Sequence, residues 1–255
     1  MAPVDETPLN RALPLLGVGA ALLAWWAVAA VFWRGDPLLA AFGPVPSLGA
    51  LAHFVRTGEL WPHLLASLKR VLLGLGVASV VGVPLGVLIG VWRPLELSTH
   101  ALFQFLRMIS PLSWMPLAVM AFGLGDLPVV FLISVASVWP LLLNTAAGVA
   151  AVDPKRLLLA RSLCATPTET VLKVVVPSIL GPILTGLRLA IGVAWIVLVP
   201  AEMLGVRSGL GYYILDARDR LDYAELVAVI LVIGLVGYAL DSVLRTAHRR
   251  WAITH

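Results

Sequence analysis

Charge is what this sequence has least of. Only 13% of its 255 residues are Asp, Glu, Lys or Arg, while 60% are hydrophobic. Soluble domains carry about a quarter charged residues, so this chain cannot clothe a soluble globule of its size. Catalytic signatures are missing too. The three lysines are followed by Arg70, Arg156 and Val174, so there is no GxxxxGK[ST] loop to cradle ATP phosphates. HExxH and GxSxG are absent, and His53, His63, His100, His248 and His255 are scattered, which leaves no catalytic or metal-ligand set. A single cysteine, Cys164, excludes an intramolecular disulfide and a thiolate metal cage.

What is abundant is uninterrupted apolar sequence, with a mean hydropathy of +0.97. Several windows of about eighteen or more residues hold no charge, as a bilayer span requires. The net charge of +4 and pI near 9.6 fit cationic membrane flanks rather than a nucleic-acid surface, and no nucleic-acid partner is expected. Six spans are predicted: 14–33, 71–92, 108–125, 127–152, 179–201 and 226–244. The third contains Pro111 and Pro116 and is expected to begin earlier, near Leu102. None shows the period-two alternation of barrel strands, so the expected class is an all-α membrane protein with six transmembrane helices. Ala27-Val28-Ala29 fits a small-x-small cleavage pattern, but the apolar run continues through Trp33, and the segment is read as an uncleaved span.

Six spans place both termini on one side. With that side cytoplasmic, nine basic residues fall inside (Arg11, Arg93, Lys155, Arg156, Arg161, Lys173, Arg245, Arg249 and Arg250) against seven outside. The RTAHRR run from Arg245 votes most clearly for a cytoplasmic C-terminus. In the second span Gly82, Gly86 and Gly90 recur on one face, which is expected to pack on another helix within the subunit.

Between the fourth and fifth spans lies a polar insert, RLLLARSLCATPTETVLKVVVPSILGP, from Arg156. Asp153-Pro154 supplies an N-cap oxygen and then a first-turn proline, and Thr166-Pro167 repeats the device. Thr166 and Glu169 also fit a capping box. Short helices are predicted over 154–163 and 167–175, with Pro177 ending the second. Leu157, Leu158, Leu159 and Leu163 are too apolar for a free loop. Either another protein's groove or the membrane surface would cover them.

The insert resembles the cytoplasmic coupling loop of ABC-importer permeases, the binding-protein-dependent transport family. Its pattern of Glu-Ala-Ala, three residues, Gly, nine residues, Ile, one residue, Leu-Pro falls here on Leu158, Leu159, Ala160, Cys164, Val174, Val176 and Pro177. Only Ala160 and Pro177 keep the family letter. Other segments strengthen the resemblance: Gly186-Leu187-Arg188, Ala194-Trp195, Ala201-Glu202-Met203-Leu204 and Gly209-Leu210-Gly211 are similar to the branch that imports nitrate, sulfonates, taurine and bicarbonate. So are SLKRVLLGLGVASVVGVPLGVLIG from Ser67, RMISPLSWMPLAVMAFGLGD from Arg107 and VWPLLLNTAAGV from Val138. SPLSW with VWPLLLNTA leans toward nitrate- and bicarbonate-like members.

The resemblance implies a type I ABC importer permease fold, with an N-terminal span and outer segment over 1–66 and a permease core over 67–255 that carries a coupling loop at 153–177. It implies a multi-pass protein of the bacterial inner membrane with cytoplasmic termini, a second permease copy, two ATPase subunits and a soluble binding protein. ATP and Mg would be bound by the ATPases, and this chain would hold no cofactor. The ATPases would dock on Asp153, Pro154, Leu157, Leu158, Leu159, Ala160, Arg161, Cys164, Thr166, Glu169 and Pro177. Candidate path residues are Arg107, Ser110, Asn144, Arg188 and Glu202, because polar groups in spans face a cavity or a partner. An arginine fork suits a planar oxyanion. Arg188 either lines the path or pairs across helices, and Asn144 is either interhelical glue or a path group. Asp241 has Arg245 at i,i+4. An ion-coupled secondary transporter is the competing reading, but it would want midplane acids and an inverted repeat. An ABC permease for a non-anionic solute is the other. At Cys164, where the family keeps glycine, a turn with φ < 0 is expected.

Overall fold

The computed structural model describes the backbone of residues 8–32, 35 and 37–254, and the side chains of 16–31, 35 and 39–246. Arg11, Trp33, Arg34, His248, Arg249, Arg250 and His255, used in the sequence reading, have side chains outside that set. Among the described residues all regular structure is helical. The order is α1 (Pro8–Phe32), α2 (Pro37–Ala40), α3 (Pro44–Thr57), α4 (Trp61–Val91), α5 (Arg93–Met108), a 3-10 turn (Pro111–Trp114), α6 (Met115–Phe122) and α7 (Asp126–Ala150). Then follow α8 (Pro154–Ser162), α9 (Pro167–Thr170), a π-turn (Val171–Val175), α10 (Val176–Ser178), α11 (Leu180–Gly205), α12 (Leu210–Asp219) and α13 (Tyr223–Thr254).

Among the described residues four helices are long and apolar enough to cross a membrane: α4, α7, α11 and the Tyr223–Thr246 part of α13. A further helix pair passes the same test of length and hydropathy only when its two halves are taken together. Its halves, α5 and the Pro111–Phe122 segment, meet at 86°. The cause is local: Pro111 pushes the preceding residues out of helical geometry, and Ile109 and Ser110 have ψ of 126° and 127°. The expected third span is therefore two helices around a corner. The apolar stretch Leu16–Val31 of α1 stands where the first span was expected.

The chain divides into two units. One comprises residues 1–61 with 213–232, so a segment late in the sequence joins the N-terminal one. In it Trp25 Nε1 donates to the Phe42 carbonyl at 3.0 Å, and Phe42 stacks on Tyr223 at 4.6 Å. Tyr213 packs edge-on against Phe54, and its hydroxyl donates to Glu225 Oε2 at 3.1 Å. Burial, aided by Glu225 and Glu59, pushes the Tyr213 hydroxyl up to about 12.

The second unit, residues 62–212 and 233–255, is built around α7. Gly74, Gly82, Gly86 and Gly90 of α4 press on α7, and an added Cβ at Gly86 would lie 2.6 Å from the Leu142 carbonyl oxygen. Buried Ala78 completes the four-residue ladder, so the small-residue face does pack on a helix of the same subunit. On its other side α7 meets α11 through Gly148 against Pro182 and through Gly186 against Asn144. Ser134 and Ser137 donate across these seams to the carbonyls of Gly74 (3.2 Å) and Ala190 (3.3 Å). Val71, Leu132, Ile133, Leu141, Ala194 and Leu198 form the apolar core between the three helices.

Candidate functional site

The polar insert begins as its sequence predicts. Asp153 caps α8 by accepting from the Lys155 amide at 2.9 Å. Thr166 and Glu169 make both bonds of a capping box at the start of α9. The Thr166 amide, then its hydroxyl, then Lys173, hold the exposed Glu169 carboxyl down to about 2.

Two expectations fail here. Cys164 has φ +54°, in the left-handed region, not the negative φ expected. The reason is the way α8 ends. The Ala165 amide donates to the Ala160 carbonyl at 3.0 Å and the Cys164 amide to the Arg161 carbonyl at 2.9 Å, which is a Schellman closure. That closure requires a left-handed residue at Cys164, and it turns the chain so that Thr166 can cap α9. Pro177, expected to end the second helix, lies instead inside α10. The π-turn just before it absorbs the strain: the Val176 amide reaches back five residues to the Val171 carbonyl. The helical path breaks two residues later, at Ile179.

The leucines divide by face. Leu157 turns inward and packs on Val149, Val152, Val175 and Ile179. Ala160 is buried beside it. Leu158, Leu159 and Leu163 are 58%, 61% and 74% exposed, bare on the outer side of the insert. Arg156 donates to Ser178 Oγ at 3.1 Å, tying α8 to the following turn, and Arg161 lines a gap between the insert and the ends of α4 and α7.

The five path candidates fall in three places. Arg107 and Asn144 line one cavity of about 500 Å³ between α5, α7 and α11. Ser110 is exposed at the corner beside it, between the lining residues Ile109 and Pro111. Arg188 is engaged elsewhere: its Nε donates to Asp241 Oδ1 at 2.7 Å, joining α11 to α13, and Arg245 bonds the same carboxylate. Both sides of that bridge stay partly exposed, at 42% and 34%.

Glu202, expected on the path, is instead fully buried. It sits about 33 Å along α11 from Leu180, at the end away from the polar insert. Its carboxylate accepts from Arg70 Nη1 (2.6 Å), from Ser67 Oγ (2.8 and 2.9 Å) and from the Gly211 amide (2.9 Å). Arg70 spends all five of its N–H donors, the others going to Asp126 Oδ1 twice and to the Ser208 carbonyl and hydroxyl. The Leu210 amide donates to Ser67 Oγ and the Gly209 amide to His63 Nδ1. Gly209 has φ +116°, and a Cβ there would strike Glu202 and Arg70. The Glu202…Gly209-Leu210-Gly211 spacing therefore encodes a loop wrapped on a buried carboxylate. Arg70 was missed because it reads as an outer flank charge. The available signal was Glu202 itself, a carboxylate in an apolar helix that needs a buried cation.

Residues 82–252 match the family described as binding-protein-dependent transport system inner membrane component. The chain is 39% identical over 186 residues to the bicarbonate transport system permease protein CmpB of Synechococcus elongatus, covering 72% of this chain and 66% of that one. It is 33% identical over 261 residues to the taurine transport system permease protein TauC of Escherichia coli, covering 97% and 92%. Among solved structures, an inward-facing MetNI methionine ABC transporter chain superposes with a TM-score of 0.59 at 17% identity, over 74% of this chain and 97% of that one. That likeness supports the same permease fold.

Proposed function

Because this chain belongs to the binding-protein-dependent transport system inner membrane components, the permeases of ABC importers, we propose that two copies of it form the path for a small anion of the nitrate, bicarbonate or sulfonate class. The relatives named for bicarbonate and taurine import support the anion class, since both solutes carry an oxyanion. A soluble binding protein delivers the solute at the end that holds the Arg70–Glu202 cluster. Two ATPase subunits, which bind ATP and Mg, dock at the other end. That orientation puts the coupling insert and both termini in the cytoplasm.

The observation that carries this reading is the insert. It is capped at both helix starts and anchored inward by Leu157 and Ala160, yet it presents three bare leucines outward. A rigid amphipathic element of this kind suits a groove on a partner. Closure of the ATPases would push α8, and the Schellman turn at Cys164 would pass the push to α9 and α11. The bundles would then rock between inward-open and outward-open states.

Replacing Leu158, Leu159 and Leu163 together by serine tests the docking. These side chains are more than half exposed, so the permease should stay folded and monodisperse while co-purification of the ATPase and ATP-driven uptake are lost. Retained co-purification, or uptake driven by an ion gradient without any ATPase subunit, would overturn the proposal.

A further inference from the structure

A cavity of about 390 Å³ lies between the insert and the bundle, where α8, α9 and the π-turn meet the ends of α4 and α7. We propose that it is a site for an anionic phospholipid, with the phosphate on Arg161 and the upper part of one acyl chain in the slot beside it. The proposal goes beyond the transport reading. It rests on that reading only for the leaflet, the cytoplasmic one, that supplies the lipid.

Depth is the first argument. Gly90 and Val91, the last residues of apolar α4, form one wall. Trp92 and Arg93 follow, and Trp92 is more than half exposed. A tryptophan and then an arginine at the end of an apolar span mark the headgroup level of a bilayer. The cavity sits at that level, where lipid phosphates and the first methylenes of their chains lie.

The walls are the second. They are mostly apolar, with Val149, Val152, Leu157, Val171 and Val175 beside the end of α4. At about 30 Å³ for each water-sized group, the space holds roughly a dozen heavy atoms, enough for a segment of one chain. Such walls reward methylenes over water. The Thr170 hydroxyl in the wall is already committed to the Thr166 carbonyl at 3.0 Å. Val149, Val152, Leu157 and Val175 also hold the insert to the bundle, so a bound chain adds to that joint and braces the insert.

Charge is the third. Over 153–177 four cations, Lys155, Arg156, Arg161 and Lys173, stand against Asp153 and Glu169. Both acids are engaged: Asp153 caps the Lys155 amide, and Glu169 accepts from Thr166 and Lys173. Arg156 is tied to Ser178. Among the described residues Arg161 has no hydrogen bond or ion pair, and it lines the cavity one turn after Leu157, on the same face of α8. An unpaired guanidinium fork over an apolar slot at headgroup depth complements a phosphate that carries an acyl chain. A free inorganic anion would use the fork and leave the slot empty. A zwitterionic lipid would bring its own cation to a basic surface.

The test titrates the full-length permease in neutral detergent with dihexanoyl phosphatidylglycerol, dihexanoyl phosphatidylcholine and glycerol 3-phosphate, and reads the bound adducts by native mass spectrometry. Phosphatidylglycerol should bind at least about tenfold more tightly than either of the others. Arg161→Gln, at an exposed position, should weaken it at least about tenfold by loss of a charge-assisted bond and leave phosphatidylcholine unchanged. Ala165→Leu fills the slot but keeps the fork, so it should weaken phosphatidylglycerol and spare glycerol 3-phosphate. Equal affinity for the two lipids, or phosphatidylglycerol binding indifferent to Arg161→Gln, overturns the proposal. Glycerol 3-phosphate binding as tightly as phosphatidylglycerol also overturns it, by assigning the fork to a free phosphate. The titration contains no ATPase and no transported solute, so its failure leaves the docking reading intact, which the serine variant tests separately.

Discussion

The two ends of the α4–α7–α11 bundle treat the same kinds of residue in opposite ways. At the end away from the insert, Arg70, Glu202, Ser67, Asp126 and Ser208 form a closed cluster in which the fork of Arg70 is spent and glycine stands where φ is positive. At the insert end, Arg188 and Arg245 share one carboxylate and leave a surplus positive charge, partly exposed. Three leucines are bare, and a cysteine holds a left-handed position that glycine would occupy without strain. The first end is complete within one chain. The second leaves charge and apolar surface exposed within one chain. A buried ion pair is stable only when every donor and acceptor is met, so it suits a fixed joint; a half-exposed one can change partners as helices move.

The largest expected effect comes from breaking the closed end. Glu202→Ala strands a buried guanidinium and should cost about 3–5 kcal/mol, seen as a collapse of the melting temperature of the purified permease. If that variant melts like the parent, the cluster is no joint and the contrast between the ends falls. Arg70→Lys keeps the charge but offers three donors where five are used, and should cost about 2 kcal/mol. Cys164→Gly relieves a left-handed backbone and should raise stability by about 1 kcal/mol in the same assay. No gain would mean that the left-handed backbone at Cys164 carries no strain that glycine can relieve. Arg188→Ala should leave melting unchanged, because Asp241 keeps Arg245, and should show itself only in transport rate.

The smallest effect is on pH. Glu169 is held at about 2, below its ordinary value, so its capping contribution is present above pH 4.5 and is lost as pH falls through about 2. An NMR titration of the carboxyl carbon should show that low midpoint, and Thr166→Ala should move it back toward 4.5. An ordinary midpoint in the parent chain would remove the capping box from the account.

What was legible in the sequence was set by neighbours in the chain. The caps at Asp153 and Thr166, the glycine face of α4 and the apolar spans follow from contacts within a few residues or from one helical face. Arg107 and Asn144 were also flagged from type and place, as polar groups in apolar helices. The failures share a cause. Cys164 was judged by its own φ preference, but the Schellman bonds to Arg161 and Ala160 outweigh it. Pro177 was read as a stop, but a π-turn upstream removes the clash. Glu202 was assigned to the path although its partner, Arg70, lies 132 residues earlier in the chain.

The sequence by itself determined that this chain crosses a membrane as helices and carries a capped insert between two spans, because these properties depend on composition and spacing. Only the tertiary structure decided which charges are spent and which are free. Arg70, Arg107 and Arg188 look alike as letters beside or within apolar runs. Their roles differ because helix packing seals the first against Glu202, bridges the third to Asp241 and leaves the second facing a cavity. The free energy of a charge depends on what surrounds it in space, and in a helical bundle those surroundings come from residues far away in the chain.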